Sequence, residues 1–191
     1  MAITISGDSP NLTSASLTTP TLTSPTFAGT PSGSIITSMT AQASTSGTSI
    51  DFTSIPSWVK RVTVMFNSIS LSGTSSIILQ IGDSGGVETT GYVGANAELT
   101  SGSNTITNFS TGFLLHNVPA AAQNYSGMAI LSLLSSASNT WTQSCNFATD
   151  ANARINVSGG SKALSATLDR VRITTVSGDT FDAGTINILY E

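Results

Sequence analysis

Ser84 lies in the stretch GDSGG at residues 82–86, the part of this chain whose residue types most directly suggest chemistry. A serine set between glycines can act as a nucleophile, and the neighbouring backbone amides can stabilise the oxyanion that its attack creates. This chemistry also requires a histidine base that is oriented by a buried carboxylate. The chain has one histidine, His116, so any such site must combine Ser84 with His116.

The GDSGG stretch resembles the nucleophile loop of chymotrypsin-like serine proteases. In that family the histidine and the aspartate precede the serine in the chain, whereas His116 follows Ser84. The two-barrel fold of those proteases also needs more than the 191 residues present, and their histidine motif is missing. Because a GDSGG turn arises readily in a chain rich in glycine and serine, we expect an ordinary turn, no hydrolytic activity and no catalytic residue.

Other residues suggest binding or acid–base chemistry. Asp179 and Asp182 flank Phe181 and would suit a cation or an acid–base pair, but capping a turn is the ordinary role of aspartate there. His116 has no second histidine or tight carboxylate cluster beside it, so we expect a hydrogen-bonded or exposed side chain. Cys145 is the single cysteine, which excludes an intrachain disulfide and favours a small buried residue. We therefore expect no metal site and no cofactor.

The two tryptophans, Trp58 and Trp141, have the chemistry of sugar-stacking platforms. Packing in a core or an interface is the more frequent role of tryptophan. The sequence therefore identifies no receptor-binding residue.

The composition limits the partners of the chain. Charged residues make up 8% of it, against roughly 25% in average soluble proteins. With six lysines and arginines and a net charge of −4, there is no basic surface for nucleic acid or anionic lipid. The first residues lack the pattern of a secretory signal, and no apolar run has the length of a membrane helix. A protein of this kind that acts outside its cell of origin would leave by lysis or inside a particle.

Alternation of apolar and polar residues indicates β-strands in residues 47–191. Residues 58–68 place Val62, Val64 and Phe66 on one side, as a strand with one buried face requires. A second apolar run follows at residues 77–81, and the turn-forming residues between the two runs predict a hairpin.

The later part of the chain repeats this pattern, with short strands separated by turn residues such as Gly159 and Gly160. The further core candidates are Ile106, Phe109, Phe113, Leu115, Val171, Ile173, Ile186, Ile188 and Tyr190. Such spacing predicts an all-β domain, an antiparallel β-sandwich of jelly-roll type. We expect no helix beyond a turn near residues 120–122.

The first 46 residues are dominated by serine, threonine and proline, and they contain a short repeat. Its apolar positions, five residues apart, are Leu12, Leu17, Leu22 and Phe27. A disordered linker and a pentapeptide-repeat solenoid are alternatives. We favour a stalk in which identical chains turn these side chains toward a common axis, because regular apolar spacing has no purpose in a random linker. The sequence thus divides into a stalk and virion-attachment segment, 1–46, and a sandwich domain, 47–191.

Several stretches carry a resemblance to a known class of proteins. They are NLTSASLTTPTLTSPTFAGTPSG at residues 11–33, IPSWVKRVTVMF at 55–66, IGDSGGVETTGY at 81–92 and FDAGTINILYE at 181–191. Together they resemble small fibre proteins of tailed bacteriophages. The resemblance implies a non-enzymatic virion component, usually a homotrimer, whose N-terminus faces other virion proteins and whose β-rich lobe faces outward. It supplies no catalytic residue.

The resemblance leaves the role of the lobe open. The first expectation is a fibre whose lobe contacts the host surface during adsorption, through surface glycans. The alternative is a capsid decoration or head fibre with no receptor role, and a secreted carbohydrate-binding module is a third possibility that the missing secretory signal disfavours. In the first two cases the protein assembles in the host cytoplasm, resides in the virion and is released by lysis.

Overall fold

The structure, a computed structural model, describes residues 36–117, 119–121, 123–149 and 153–191. Every regular element within these ranges is a β-strand, and no helix occurs there. In chain order the strands are β1 (Thr37–Ser38), β2 (Gln42–Ala43), β3 (Ser49–Phe52), β4 (Arg61–Leu71), β5 (Ile77–Asp83), β6 (Gly86–Val87), β7 (Val93–Leu99), β8 (Asn104–Phe109), β9 (Phe113–His116), β10 (Tyr125–Ser135), β11 (Thr140–Thr149), β12 (Ile155–Ala163), β13 (Arg170–Thr175) and β14 (Phe181–Tyr190).

The strands form two antiparallel sheets that pack against each other. The large sheet has the order β1-β14-β4-β10-β11-β12-β7-β8, and β2 also pairs with β14. The small sheet has the order β3-β13-β5-β6, and β9 also pairs with β5. The predicted antiparallel β-sandwich is therefore confirmed.

Apolar side chains from the facing sides of both sheets form the core. Val62, Val64 and Phe66 of β4 are buried on one side of the strand, as predicted. The Phe66 ring meets that of Phe147 edge to face, with 5.1 Å between centroids. Each such side chain contributes about 1.5–3 kcal/mol by leaving water. The other predicted core residues that prove buried are Phe113, Leu115, Val171, Ile173, Ile186 and Ile188.

The predicted hairpin of the two apolar runs is wrong, because β4 lies in the large sheet and β5 in the small one. Residues 72–76 cross from sheet to sheet, and the Ser72 amide donates to the Thr180 carbonyl over 2.9 Å. All seven residues of β5 are buried, unlike the alternating β4. A central strand that is buried on both faces has a continuous apolar sequence without alternation. The local sequence pattern therefore could not show which strand β5 pairs with.

Residues 105–116 also divide between the sheets. Strand β8 is at the edge of the large sheet, and β9 pairs with β5 in the small sheet. Consequently Ile106, predicted to be a core residue, faces outward with 75% of its surface exposed. Phe109 and Tyr190 pack against the core while remaining only partly buried.

Gly159 and Gly160 lie inside β12 and do not form the predicted turn. Gly160 pairs with Gly94 of β7, and the Phe109 ring lies over this pair. A Cβ atom added at Gly160 would be 2.4 Å from the Val93 carbonyl oxygen and 2.9 Å from the ring, closer than real Cβ contacts. These glycines therefore allow β7 and β12 to approach closely beneath an aromatic ring, a requirement set by strands distant in the sequence.

The chain divides into two units, residues 1–34 and 35–191, and the second contains all of the described residues. Strands β1 and β2 lie within segment 1–46 and pair with β14, so the end of that segment contributes to the large sheet. The predicted stalk positions Leu12, Leu17, Leu22 and Phe27 lie outside the described residues.

Candidate functional site: two sides of the large sheet

The GDSGG stretch forms the turn between β5 and β6, in which Asp83 pairs with Gly86. The Gly85 amide donates to Asp83 Oδ1 over 2.7 Å, and a Cβ atom added at Gly82 would collide with the Gly86 carbonyl. Hydrogen bonds from the Ser165 hydroxyl and the Gly85 amide hold the pKa of Asp83 below its ordinary value. Turn geometry therefore accounts for the glycines and the aspartate of the stretch.

Ser84 and His116 are not brought together. Ser84 is exposed in the turn after β5, whereas His116 pairs with Ile77 at the opposite end of that strand. The six residue steps from Ile77 to Asp83 span about 20 Å. His116 therefore cannot take a proton from Ser84, and the serine-protease arrangement is not formed by these residues.

His116 is fully buried, contrary to the expectation of a hydrogen-bonded or exposed histidine. Its ring packs edge to face on Tyr125, with 4.7 Å between centroids, and lies 6.4 Å from the Phe147 ring. Burial, with a smaller contribution from the positive charge of Arg154, lowers the pKa of His116 to about 4. The imidazole is therefore neutral near pH 7.

A cluster of polar side chains surrounds this histidine between the sheets. His116 Nδ1 is 3.9 Å from Glu98 Oε2, and Arg154 Nη1 is 3.5 Å from Glu98 Oε1. Asn96 donates to the Leu114 and Leu115 carbonyls over 3.3 Å. Asn156 is fully buried, and both polar atoms of its side chain, like both ring nitrogens of His116, lack a hydrogen-bond partner among the described residues.

This buried polar cluster comprises Asn96, Glu98, His116, Arg154 and Asn156. Polar groups in protein interiors that other protein groups do not reach commonly bond ordered water. Among the described residues, no group of three or more His, Cys, Asp or Glu side chains is arranged to hold a metal ion.

The remaining candidates from the sequence are two aspartates, Asp179 and Asp182, and the two tryptophans. Asp179 joins two loops, since its Oδ2 accepts from the Ser75 amide over 2.7 Å. Interaction with the Ser75 side chain, and then with its amide, lowers the pKa of Asp179. Asp182 is exposed in β14. Trp141 is buried in the core, whereas Trp58 is 53% exposed and packs against Tyr190 with 5.7 Å between ring centroids.

Cys145 is buried on the inner side of β11, as expected of a lone cysteine in a strand. Burial raises the pKa of its thiol to about 12. The thiol is therefore protonated near neutral pH and a poor nucleophile.

The other side of the large sheet is a broad surface that the sequence did not reveal. The register of the strands places its outward-facing residues in rows that cross β8, β7, β12, β11, β10, β4 and β14. The first central row is Ile106, Ala97, Val157, Asn146, Met128, Met65 and Asn187. The second is Asn108, Ala95, Gly159, Ser144, Ile130, Thr63 and Leu189. Shorter rows contain Leu99, Ile155, Ala148 and Ser126 on one side, and Val93, Ser161, Thr142 and Ser132 on the other.

We call these residues, together with Arg61, which continues the last row beside Ser132, the outer face. Arg61 is their one charged member, and it forms an ion pair with Glu191 at a corner of the face. Several apolar members are well exposed, including Val93 at 69%, Met128 at 42% and Val157 at 37%. Apart from this ion pair at one corner, the face is therefore apolar to neutral.

The small sheet carries further charges. Arg172 of β13 donates from Nε and Nη2 to the two carboxylate oxygens of Asp51 in β3, over 2.7 and 2.8 Å. Arg170, at the start of β13, pairs with Asp169 over 2.8 Å. The outer face can therefore hold a partner mainly through apolar contacts, whereas the small sheet can also use charged groups.

The outer face and the buried polar cluster lie on opposite sides of the same strands. In β7, Asn96 and Glu98 point inward while Ala95, Ala97 and Leu99 point outward. Strand β12 repeats this inversion, with Asn156 inside and Ile155 and Val157 outside. In both strands the apolar residues face outward and polar residues face the interior, which is the reverse of an ordinary sandwich strand.

Comparisons of the chain with protein-family models, with curated proteins and with solved structures find no match. No helix in the described part of the chain is long and apolar enough to cross a membrane.

Proposed function

We propose that this chain is a non-enzymatic fibre protein of a tailed bacteriophage virion. In this proposal it is a homotrimer whose sandwich lobe contacts the host cell surface during adsorption. The observation that carries the proposal is the resemblance of residues 55–66, 81–92 and 181–191 to such fibres. These stretches include the first half of β4, the β5–β6 turn and β14, so much of their length belongs to the framework of both sheets.

Two features of the lobe support a role in particle-surface contact. The chain is rich in uncharged polar residues and has few charged ones, which suits hydrogen bonding to neutral sugars better than attraction to a charged polymer. Its outer face is a broad apolar surface, as expected of a subunit that lies against other subunits. The absence of a Ser84–His116 pair supports the non-enzymatic part of the proposal.

The ends of the sandwich suggest which part of the lobe meets the host. Ile36, where the described residues begin, shares a surface cleft with Arg61, Leu189 and Glu191. The loops at the other end of the large sheet include residues 100–103, between β7 and β8, which are threonine, serine and glycine. We assign host contact to this far end. Trp58, which packs on Tyr190 near Ile36, then lies on the particle side.

The proposal is tested on purified particles. Quantitative mass spectrometry should find the protein at a copy number divisible by three, and antibody labelling in the electron microscope should place it on a fibre. Added purified protein should compete with particles for adsorption to host cells. Absence of the protein from purified virions would refute the virion assignment.

A capsid decoration or head fibre without a receptor role is the second candidate, and the broad neutral outer face favours it because such a surface can also lie on a capsid. Labelling over the head and no competition for adsorption would favour this candidate.

Trp58 is half exposed, which is compatible with a carbohydrate-binding module. Sugar binding that Trp58→Ala abolishes, in a protein absent from particles, would favour that third candidate.

A further inference from the structure

We propose that the outer face is the surface through which copies of this chain associate. The inference deepens the homotrimer of the proposed function and rests on it, since it assigns the surface that identical lobes bury. The occupant to which it commits is a second copy of this chain.

The inverted pattern of β7 and β12 is the first argument. A lone sandwich gains more stability when apolar residues face its core and polar ones face water. Here Asn156 is buried while Val157 beside it is 37% exposed, and Asn96 is buried between two outward alanines. The pattern has a physical reason if another protein surface covers the outward side and removes those apolar residues from water.

The scarcity of charge indicates that this other surface is a copy. A rotation axis brings the same patch of each copy to the same place, so any charge near the axis meets its own sign. Like charges juxtaposed in an interface are strongly unfavourable. The described part of the chain contains fourteen charged residues, but on the outer face they contribute only the ion pair of Arg61 and Glu191 at one corner, whose charges offset each other. A foreign charged partner would instead select complementary charges, as found in steered complexes.

The dimensions of the face are those of an interface. Seven adjacent strands contribute to it. With about 4.8 Å between strands and about 20 Å along them, the flat area of the face is roughly 600 Å² per copy. The projecting side chains add further surface to this area. A stable protein interface buries about 800 Å² per partner. The outer face can therefore supply most of a stable interface.

The position of Ile36 is the fourth argument. Ile36 lies in one cleft with Thr63 and Leu189, which are both members of the outer face. Ile36, the first described residue, thus lies at the edge of this face. If Leu12, Leu17, Leu22 and Phe27 pack between copies, as the sequence predicts, both contacts would be made by the same set of chains.

The first experiment introduces charge on the face of the full-length protein. Met128→Glu and Val157→Glu are combined, and Val176→Glu is the control because Val176 is 58% exposed outside the outer face. Sedimentation velocity over a range of concentrations should show wild type and control as trimers. The double variant should associate roughly a hundredfold more weakly, because each copy adds like charges near the axis. Circular dichroism verifies that all three keep the same strand content.

A second experiment gives a signal only if the faces meet. Asn146→Cys places a thiol in the central row of the face, and Val176→Cys places one elsewhere. A short bismaleimide should link copies of the Asn146→Cys protein into covalent dimers and leave the Val176→Cys chains unlinked on a denaturing gel. Wild type is the background control, since Cys145 points inward and is buried.

The outcomes separate the two proposals. A wild-type assembly that the paired glutamates leave intact, or equal cross-linking of both cysteine variants, overturns the assignment of the face but not the homotrimer. A wild-type monomer at tens of micromolar overturns the face and the homotrimer together. The inference is also overturned if segment 1–35 covers the face within its own chain. In that case Asn146→Cys would not be cross-linked, although sedimentation would still show the full mass of the assembly. The presence of the protein in virions is decided independently.

Discussion

Acidification should destabilise this protein through His116 alone over a defined range of pH. The pKa of His116 falls from an ordinary 6.5 to about 4 in the folded chain, first because of burial and then because of the Arg154 charge. Glu98 would favour a protonated ring at 3.9 Å, but its other oxygen faces Arg154. The Tyr125 and Phe147 rings that pack on the imidazole offer no compensating charge.

The sign of the effect follows from proton binding. Between pH 6.5 and about 4 the unfolded chain binds a proton at His116 and the folded chain does not, so stability falls as pH falls. At pH 5 the loss relative to pH 7 is about 2 kcal/mol, and it approaches about 3 kcal/mol near pH 4. Total stabilities of single domains are about 5–15 kcal/mol, so the loss is readily measured. Asp83, Glu88 and Asp179 have lowered pKa values, so their contributions are lost as pH falls through their ordinary values of 3.8 to 4.5 and below, and they add to the His116 effect near pH 4.

Guanidinium unfolding at pH 7, 6 and 5 measures this loss, with protein concentration held fixed because association would add to stability. Since the chain has one histidine, His116→Gln should remove the slope over this range, whatever its effect at pH 7. NMR of the imidazole protons gives the pKa directly. A native His116 that titrates near 6.5, or a wild-type unfolding free energy that stays constant from pH 7 to 5, would refute the reasoning.

Further predictions concern the turn, the unused serine and the N-terminal segment. Gly82→Ala should destabilise the fold by more than about 1 kcal/mol, measured by urea unfolding, since its methyl group would meet the backbone of β6. Ser84→Ala should change neither stability nor adsorption by more than experimental error. Labelling of Ser84 by a serine-hydrolase probe, abolished by His116→Ala, would contradict the non-enzymatic proposal. Leu17→Ser with Leu22→Ser should weaken trimer formation in sedimentation while leaving the circular dichroism of the sandwich unchanged.

Alternation within a strand was enough to predict part of the fold. Val62, Val64 and Phe66 in β4, and Ile186 and Ile188 in β14, follow the two-residue period, and all five are buried. Their assignment needs only neighbouring residues, because the pleat itself sends alternate side chains to one face.

Partners, register and the direction of each face could not be predicted in this way. The exposed Ile106 and the Gly94–Gly160 pair under Phe109 depend on strands that are distant in the sequence. Strand β7 is the clearest case, because the usual rule would turn Ala97 inward and Asn96 outward, which is the reverse of the structure. The outer face could therefore not be predicted from the sequence. The alternation of polar and apolar residues in both β7 and β12 was visible in the sequence, but it did not show which side of each strand faces the interior.

The position of β14 has a consequence for how the protein is made. This strand lies inside the large sheet, between β1 and β4, yet it is the fourteenth strand in the order of synthesis. A ribosome adds about 5–20 residues per second, so β4 is synthesised roughly 5–20 s before β14, the strand that pairs with one of its edges. During that interval the nascent chain exposes an unpaired apolar strand to its neighbours on the same message. Yield in cells should therefore respond to translation speed and to chaperone supply more than the stability of the finished sandwich would suggest.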